Sequence, residues 1–387
     1  MMMCGGVPQL KMLRYAKGYT QEALADAAGI SRDTYQNIES GRSDPRASTL
    51  QNIARVLGVE VQDLFGQAEI PARVRFRSSR RMNSRDMILC DAVTWMRDYS
   101  RLEGTLNNHA SWLLGDLSTE MTAYEGGPEK AKLCAVRARQ QLGLSAGEPV
   151  RDVCGLLESA GVKVYPKEVM SEGFFGLSIG PIDGGPLIVV NVWGRISVER
   201  WIFTAAHEFG HLLLHPDSYD VSVAREDLTE EQEANIFASY FLMPGPVFDT
   251  EWRNARGLPF VDRVLKVKRM FRVSYKTVLY RLSETHRLDD NLWGKFQGEY
   301  RRRYGKTLKM ADEPQPASAD DFMASYPEAY RAVEPCELSE ADFVPDRLAR
   351  LVRQALEGGH ISLSRAAGII RIDAESMRNM ALSWVNG

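Results

Sequence analysis

An α+β fold is predicted by three features of this 387-residue sequence. Short helix-periodic segments with capping residues and turn glycines fill the stretch from about Leu10 to Phe65. Three β-rich runs lie between Val162 and Val192. A long helix with a broad apolar face then opens at Ser197. Helices gathered around one small sheet give the α+β class, preceded by a small all-helical domain and followed by a helical C-terminal region.

The elements follow in order. In the first segment Gly29, Gly41 and Gly58 mark turns, Ser31 is placed to cap a helix running to Ser40, and Ser48 to cap one carrying Leu50, Ile53, Ala54 and Leu57. These set a first domain at residues 8–67. Residues 68–127 read as a connector. Its first part holds Arg73, Arg75, Arg77, Arg80, Arg81 and Arg85 and is expected to be solvated, and a helix with Ile88, Leu89, Val93, Trp95 and Met96 follows from Asp86 to about Leu117. A further domain is expected over 128–285. It begins with two helices, one with Leu133, Val136 and Ala138, the other with Val150, Val153, Leu156 and Leu157. Strands are expected at Val162 to Tyr165, Phe174 to Ile179 and Leu187 to Val192. The helix from Ser197 runs through Trp201, Phe203 and His207 until Pro216 stops it. Residues 286–387 form a helical region in which Leu348, Leu351, Val352 and Leu356 share a face.

Composition narrows the function classes. A net charge of −3 excludes coating of nucleic acid by bulk electrostatics, so any DNA contact is local. Five scattered cysteines without a C-x-x-C pair fit a reducing compartment, and the cytoplasm is expected. No apolar run approaches the roughly 18 residues of a membrane helix, so no membrane partner is expected.

The chemistry centres on His207-Glu208-Phe209-Gly210-His211. Two residues four apart on a helix differ by about 40° around its axis, so both imidazoles can reach one ion while Glu208 points beside it. Zinc is the expected cofactor, with His207 and His211 as ligands and Glu208 as the base that takes a proton from an attacking water. The extended motif with a later histidine is excluded, because Leu214 and Asp217 stand where it needs Gly and His. A glutamate from the next helix is the alternative third ligand, among Glu230, Glu231 and Glu233. Glu231 and Asn235 share a helical face, so one can bind the metal while the other holds a ligand histidine, and Glu231 is favoured over Glu233. His215 continues the four-residue spacing but is misplaced for a ligand, and reads as a rim or capping residue.

The segment from about Pro128 to Leu282 resembles the ImmA/IrrE family of metallopeptidases. The matching stretches are F-T-A-A-H-E-F-G-H-L-L-L-H, E-Q-E-A-N-I-F-A-S-Y-F-L-M-P and V-L-K-V-K-R-M-F-R-V-S-Y-K-T-V-L-Y-R-L, in the family's order and spacing. The resemblance implies a compact zincin fold, zinc ligands His207, His211 and Glu231, and Glu208 as base. It also implies a partner transcriptional repressor, often itself a helix-turn-helix protein, as substrate. Cleavage would switch on phage-related or DNA-damage genes, with single-stranded DNA or another damage or infection cue as activator.

The string L-R-Y-A-K-G-Y-T-Q-E-A-L-A-D-A-A-G-I-S-R-D-T-Y-Q-N-I-E-S-G-R resembles a Cro/Xre-type helix-turn-helix. Thr20 would start its second helix, Gly29 the turn and Ser31 the recognition helix. Gln21, Arg32, Asp33 and Asn37 would then face bases or phosphates of duplex DNA. Leu10 to Gly66 holds seven basic and seven acidic residues, so phosphate neutralisation by this module alone is weak, and the arginine-rich stretch is a candidate to supply it. Protein docking or a homodimer is the other role for such a module.

Three further expectations remain. Cys4, on a glycine-flanked tail, is a candidate inhibitory zinc ligand, since a thiolate can take the fourth position. Cys90, Cys134 and Cys154 are expected in the core. Ile361 to Met377 resembles a second helix-turn-helix and is read as an interaction element. Competing with a peptidase are a one-component transcription regulator whose zincin domain senses a ligand, and a repressor that cuts its own linker around Arg77 to Arg85. The base Glu208, superfluous in a sensor, favours hydrolysis.

Overall fold

The computed structural model describes residues 10–11, 13–14, 17–59, 61–64, 74–78, 85–181, 184–216, 227–286, 291–309, 312–315 and 337–385. The chain divides into two compact units, one of residues 1–72, 81–109 and 346–387, the other of residues 73–80 and 110–345. The fold is α+β: helices predominate around one four-stranded sheet.

In the first unit α1 (Gln21–Ala28), α2 (Arg32–Glu39) and α3 (Ala47–Leu57) start and stop on local chemistry. Thr20 Oγ1 accepts from Ala23 N–H at 3.1 Å, and Ser31 Oγ accepts from Thr34 N–H at 3.1 Å, so each helix opens on a satisfied donor. Gly29 ends α1 at φ 71°, a left-handed conformation that costs glycine nothing. The expected cap at Ser48 is corrected: the extended residue before α3 is Arg46, at φ −67° and ψ 153°, so the helix has already opened at Ala47 and no side-chain cap bond is made. Leu24, Tyr35, Ile38, Ile53 and Leu57 close a small core. Helix α4 (Arg85–Thr105) contributes Leu102 to a second cluster with Val352, Ala355, Ala366, Ile369 and Met377 of the helices Arg347–Glu357, Leu363–Ile370 and Ala374–Val385. Arg347 Nη1 donates to Glu103 Oε1 at 2.8 Å, and Arg365 Nη2 to Asp98 Oδ1 at 2.5 Å, tying these helices to α4.

The second unit holds the sheet, in strand order β1-β3-β4-β2. Its strands are β1 (Val74–Ser78), β2 (Lys163–Lys167), β3 (Phe174–Ile179) and β4 (Leu187–Asn191). β3 is antiparallel to β1 and β4, and β2 is parallel to β4. Pro166 lies in edge strand β2, where a missing N–H is tolerated. Within the connector expected at 72–86, residues 74–78 are not loop but strand β1, which pairs Arg75 with Ser178 and Arg77 with Gly176. Its sequence V-R-F-R-S alternates with the strand period, and backbone pairing to an open sheet edge outweighs its charge.

The unit's helices are α5 (Gly115–Met121), α6 (Pro128–Gln141), α7 (Val153–Ser159), α8 (Val198–Leu214), α9 (Leu228–Leu242), α10 (Gly245–Asn254), α11 (Phe260–Phe271), α12 (Tyr275–His286) and α13 (Leu292–Tyr304). Helix α8 is buried along almost its whole length, between the sheet on one side and α9 on the other. Phe209 packs edge-on against Phe237 and Phe241, with ring centroids 5.8 and 5.5 Å apart. A Cβ at Gly210 would meet Phe237 Cδ1 at 2.8 Å, so only glycine lets α8 and α9 approach this closely. The C-terminal carbonyls of α9 are satisfied by two buried arginines. Arg139 Nη1 donates to Phe241 O at 2.7 Å and Arg281 Nη1 to Met243 O at 3.1 Å, placing positive charge at the negative end of that helix. Cys90, Cys134 and Cys154 are buried in the core, and burial pushes the Cys134 thiol well above its usual range.

Candidate metal centre and helix-turn-helix surface

Helix α8 presents His207 and His211 one turn apart, both buried, with their Nε2 atoms 2.9 Å from each other. Helix α9 brings Glu231 to them from its first turn, where Asp227 Oδ1 caps the helix by accepting from Thr229 N–H at 2.8 Å. Glu231 Oε1 lies 3.1 Å from His211 Nε2, and Oε2 lies 3.3 Å from His207 Nε2. One ligand-capable atom from each residue falls within 4.8 Å of the others, a group that could hold a metal ion.

The remaining polar residues are arranged around this trio. Asn235, one turn beyond Glu231, sets its Oδ1 3.0 Å from His207 Nδ1. Glu208, fully buried, points to the sheet side and accepts a 2.7 Å hydrogen bond from Ser178 Oγ of β3. Glu233 sits away from the trio: its Oε2 is 2.9 Å from His215 Nε2, and its Oε1 accepts a short bond from Gly127 N–H at the start of α6. His215 is the C-terminal cap residue of α8, as expected, but the rim reading is corrected. The residue is 6% exposed and its Nδ1 stands 3.0 Å from His211 Nδ1. Tyr240 packs under the guanidinium of Arg281 at 3.5 Å from the ring centroid. Cys4 lies outside the described residues.

Sequence reasoning missed Ser178, Glu233 as a partner of His215, and the two arginines behind α9. Ser178 sits two residues from Gly176 on the strand face that meets α8, where a Cβ at Gly176 would come 2.7 Å from Thr204 Cγ2. A small-residue alternation, Gly then Ser, in an otherwise bulky strand was the available signal.

On the helix-turn-helix, Arg32, Asp33, Gln36 and Asn37 are exposed on α2, on the side opposite buried Tyr35 and Ile38. Gln21 is half-buried at the start of α1 and donates to Glu39 Oε2 at the end of α2. Glu39 also accepts from Arg14 Nε at 2.8 Å, so this carboxylate ties α1, α2 and the segment before them.

Residues 157–283 match the IrrE N-terminal-like domain family, and residues 10–64 match the helix-turn-helix family. Among similar proteins, the SPbeta prophage-derived HTH-type transcriptional regulator YonR of Bacillus subtilis is 39% identical over 57 residues, 15% of this chain and 53% of its own length. An HTH-type transcriptional regulator of Methanocaldococcus jannaschii is 40% identical over 57 residues, 15% of this chain and 86% of its own. The cryptic phage CTXphi transcriptional repressor RstR of Vibrio cholerae is 27% identical over 74 residues, 19% of this chain and 67% of its own. The chain thus spans about half the length of YonR, and all three likenesses fall on a small part of this chain. It belongs to the helix-turn-helix family through residues 10–64, joined in one polypeptide to a metallopeptidase-type domain of the IrrE N-terminal-like family.

Proposed function

We propose that the chain is a zinc-dependent endopeptidase that cleaves a helix-turn-helix repressor protein in response to a stress, DNA-damage or phage-infection cue such as single-stranded DNA. The observation that carries the reading is the convergence of His207, His211 and Glu231 on one point, with Glu208 on the same helix. The donor set fits zinc. Bonds of about 2.0–2.1 Å in a tetrahedral arrangement put donors about 3.3 Å apart, close to the 2.9, 3.1 and 3.3 Å between these atoms. Two imidazoles and one carboxylate also leave a fourth position for chemistry.

Bound there, zinc supplies Lewis acidity and brings the pKa of a water towards about 7. The protein's own groups do the rest. Glu208 accepts the proton of the attacking water and returns it to the leaving amine, while Ser178 holds one of its carboxylate oxygens and Asn235 orients His207.

In this reading residues 8–67 bind duplex DNA through Arg32, Asp33 and Asn37 with Gln21 at the helix start, and a homodimer reads two half-sites. The regulators and the repressor similar to this segment support that role. Residues 128–285 carry hydrolysis, residues 68–127 connect, and signal input comes through a flanking domain, with residues 286–387 the candidate interaction or sensor element. Such a chain works in the cytoplasm. Among the described residues no helix is long and apolar enough to cross a membrane. A Cys4 thiolate at the fourth position would hold the enzyme off, and Cys4→Ala would then raise basal cleavage. Self-cleavage in the arginine-rich stretch is a second reading, favoured by the pairing of β1 with β3, the strand that holds Glu208 through Ser178. It predicts fragments on storage with zinc.

The test incubates the purified protein and a Glu208→Gln variant with a candidate helix-turn-helix repressor, with and without single-stranded DNA. Cleavage by the wild type alone supports a zinc peptidase with Glu208 as base. A folded, zinc-loaded protein that cuts nothing under either condition returns the chain to the reading of a one-component transcription regulator.

A further inference from the structure

We infer that Glu233 and His215 form a positioning relay that fixes the tautomer and orientation of His211, and so sets the metal affinity of the site. The inference rests on the zinc-centre reading above and extends it to two residues that touch no ligand position.

Glu233 Oε2 accepts from His215 Nε2 across 2.9 Å, so Nε2 carries the hydrogen. A neutral His215 ring then offers its Nδ1 as an acceptor, and the group facing it at 3.0 Å is His211 Nδ1, which must donate. His211 is thereby held as the Nδ1–H tautomer, with the lone pair on Nε2 directed at His207 Nε2 and Glu231. Asn235 Oδ1 does the same for His207 in one step, by accepting from Nδ1 at 3.0 Å. Both Nε2 lone pairs face each other 2.9 Å apart beside a carboxylate, an arrangement that a cation between them satisfies.

The far end of the relay is built as carefully as the near end. Glu233 Oε1 accepts from Gly127 N–H, one of the unpaired donors at the start of α6, where the helix dipole favours negative charge. A Cβ at Gly126 would lie 2.8 Å from that same oxygen, so glycine there leaves room for the carboxylate. Glu233 and the His215 ring are both buried, so water does not compete for these bonds.

The test measures zinc affinity of the full chain by competition with a chelator, and histidine tautomers by side-chain ¹⁵N NMR of the zinc-free protein. Partners that orient ligand histidines are typically worth about tenfold to a hundredfold in metal affinity, so His215→Phe is expected to weaken zinc by that factor. His215→Asn, whose Oδ1 can accept from His211 Nδ1, is expected to restore most of it, and Glu233→Ala to weaken zinc less than His215→Phe. The wild type is expected to show His211 protonated at Nδ1. Unchanged zinc affinity in a folded His215→Phe variant, or His211 lacking the Nδ1 proton, overturns the relay while leaving the zinc centre standing. Absence of zinc binding by the wild type overturns both. If His215→Phe does not fold, the wild-type NMR result and the Glu233→Ala affinity decide the matter.

Discussion

Ser178 Oγ donates to Glu208 Oε2 across 2.7 Å, joining strand β3 to the helix that carries the two histidines. Both residues are fully buried, so this bond fixes where the carboxylate can point. The strand approaches the helix closely enough for this because Gly176 has no side chain: a Cβ there would lie 3.4 Å from Glu208 Cγ and 2.8 Å from Val189 O. The base is thus oriented from the sheet side, while the metal-facing groups are oriented from α9.

Ser178→Ala separates these two sides. A hydrogen bond to a charged group is worth about 1.5–3 kcal/mol, so kcat for repressor cleavage is expected to fall about tenfold to a hundredfold. Zinc content is expected to stay that of the wild type, since Ser178 bonds the base and not the ligand set of His207, His211 and Glu231. Steady-state kinetics with parallel metal analysis checks this, and an unchanged kcat would reduce Ser178 to a space-filling residue.

Gly210→Ala tests the closeness of α8 and α9. Alanine favours a helix interior by up to about 1 kcal/mol over glycine, but overpacking a core costs about 1–3 kcal/mol. With Phe237 Cδ1, Cγ and Cβ at 2.8, 3.1 and 3.2 Å from the new Cβ, overpacking is expected to win. Urea unfolding should show a net loss of stability, and zinc affinity should fall because Glu231 rides on the displaced helix.

Much of this arrangement was legible in the sequence because it is local. Thr20, Gly29 and Ser31 act on their own helix ends, and the spacing of His207 and His211 sets their common face whatever surrounds them. Features made by tertiary closure were not legible. The arginines around β1 suggested solvent, while the alternation of Val74 and Phe76 with Arg75 and Arg77 carried the strand signal. The spacing of His215 marks only its place on α8, and only the fold brings Glu233 to it from another helix. Arg139 and Arg281 gave no sequence sign of burial, because a charged residue enters a core only when particular carbonyls await it.

Arg281 illustrates the energetic weight of such a residue. It is fully buried, bonded to Met243 O and, through Nε at 3.2 Å and Nη2 at 2.8 Å, to Ser239 Oγ. Its guanidinium also stacks on Tyr240. Arg281→Ala leaves those acceptors buried without their donors and opens a cavity, so a loss of about 3–5 kcal/mol is expected in chemical denaturation. Arg281→Lys should recover little, because an ammonium neither forks to two acceptors nor stacks flat on the ring.

Metal removal should lower thermal stability, because the ligands come from two helices that the ion would cross-link. At a hundredfold excess over Kd a ligand contributes about 2.7 kcal/mol, which for a unit of this size is about 5–10 °C in Tm. Scanning calorimetry with and without a chelator measures it. A His207→Ala, His211→Ala double variant should show no chelator effect, whereas an equal shift in that variant would mean the chelator acts elsewhere.

The last prediction concerns the face of α2. Arg32 and Asn37 are both exposed there, but they differ in what they can do to a duplex: a guanidinium neutralises phosphate or forks to guanine, whereas an amide pairs with adenine and releases no counterion. Because basic and acidic residues balance at seven each from Leu10 to Gly66, few phosphates are neutralised, and the slope of log K against log salt is expected to be shallow. Against that small total the loss of a single phosphate contact is readily seen. If Arg32 meets phosphate, Arg32→Ala should flatten the slope by about 1 and weaken all sequences alike. Asn37→Ala should leave the slope unchanged and relax the choice of base at one position, at a cost of about 1–3 kcal/mol for the preferred site. Fluorescence anisotropy on the full chain over a salt series, with matched and mismatched duplexes, reads both effects. If neither variant alters binding, this face of α2 is no DNA reader, and docking to a protein partner becomes the role of the domain.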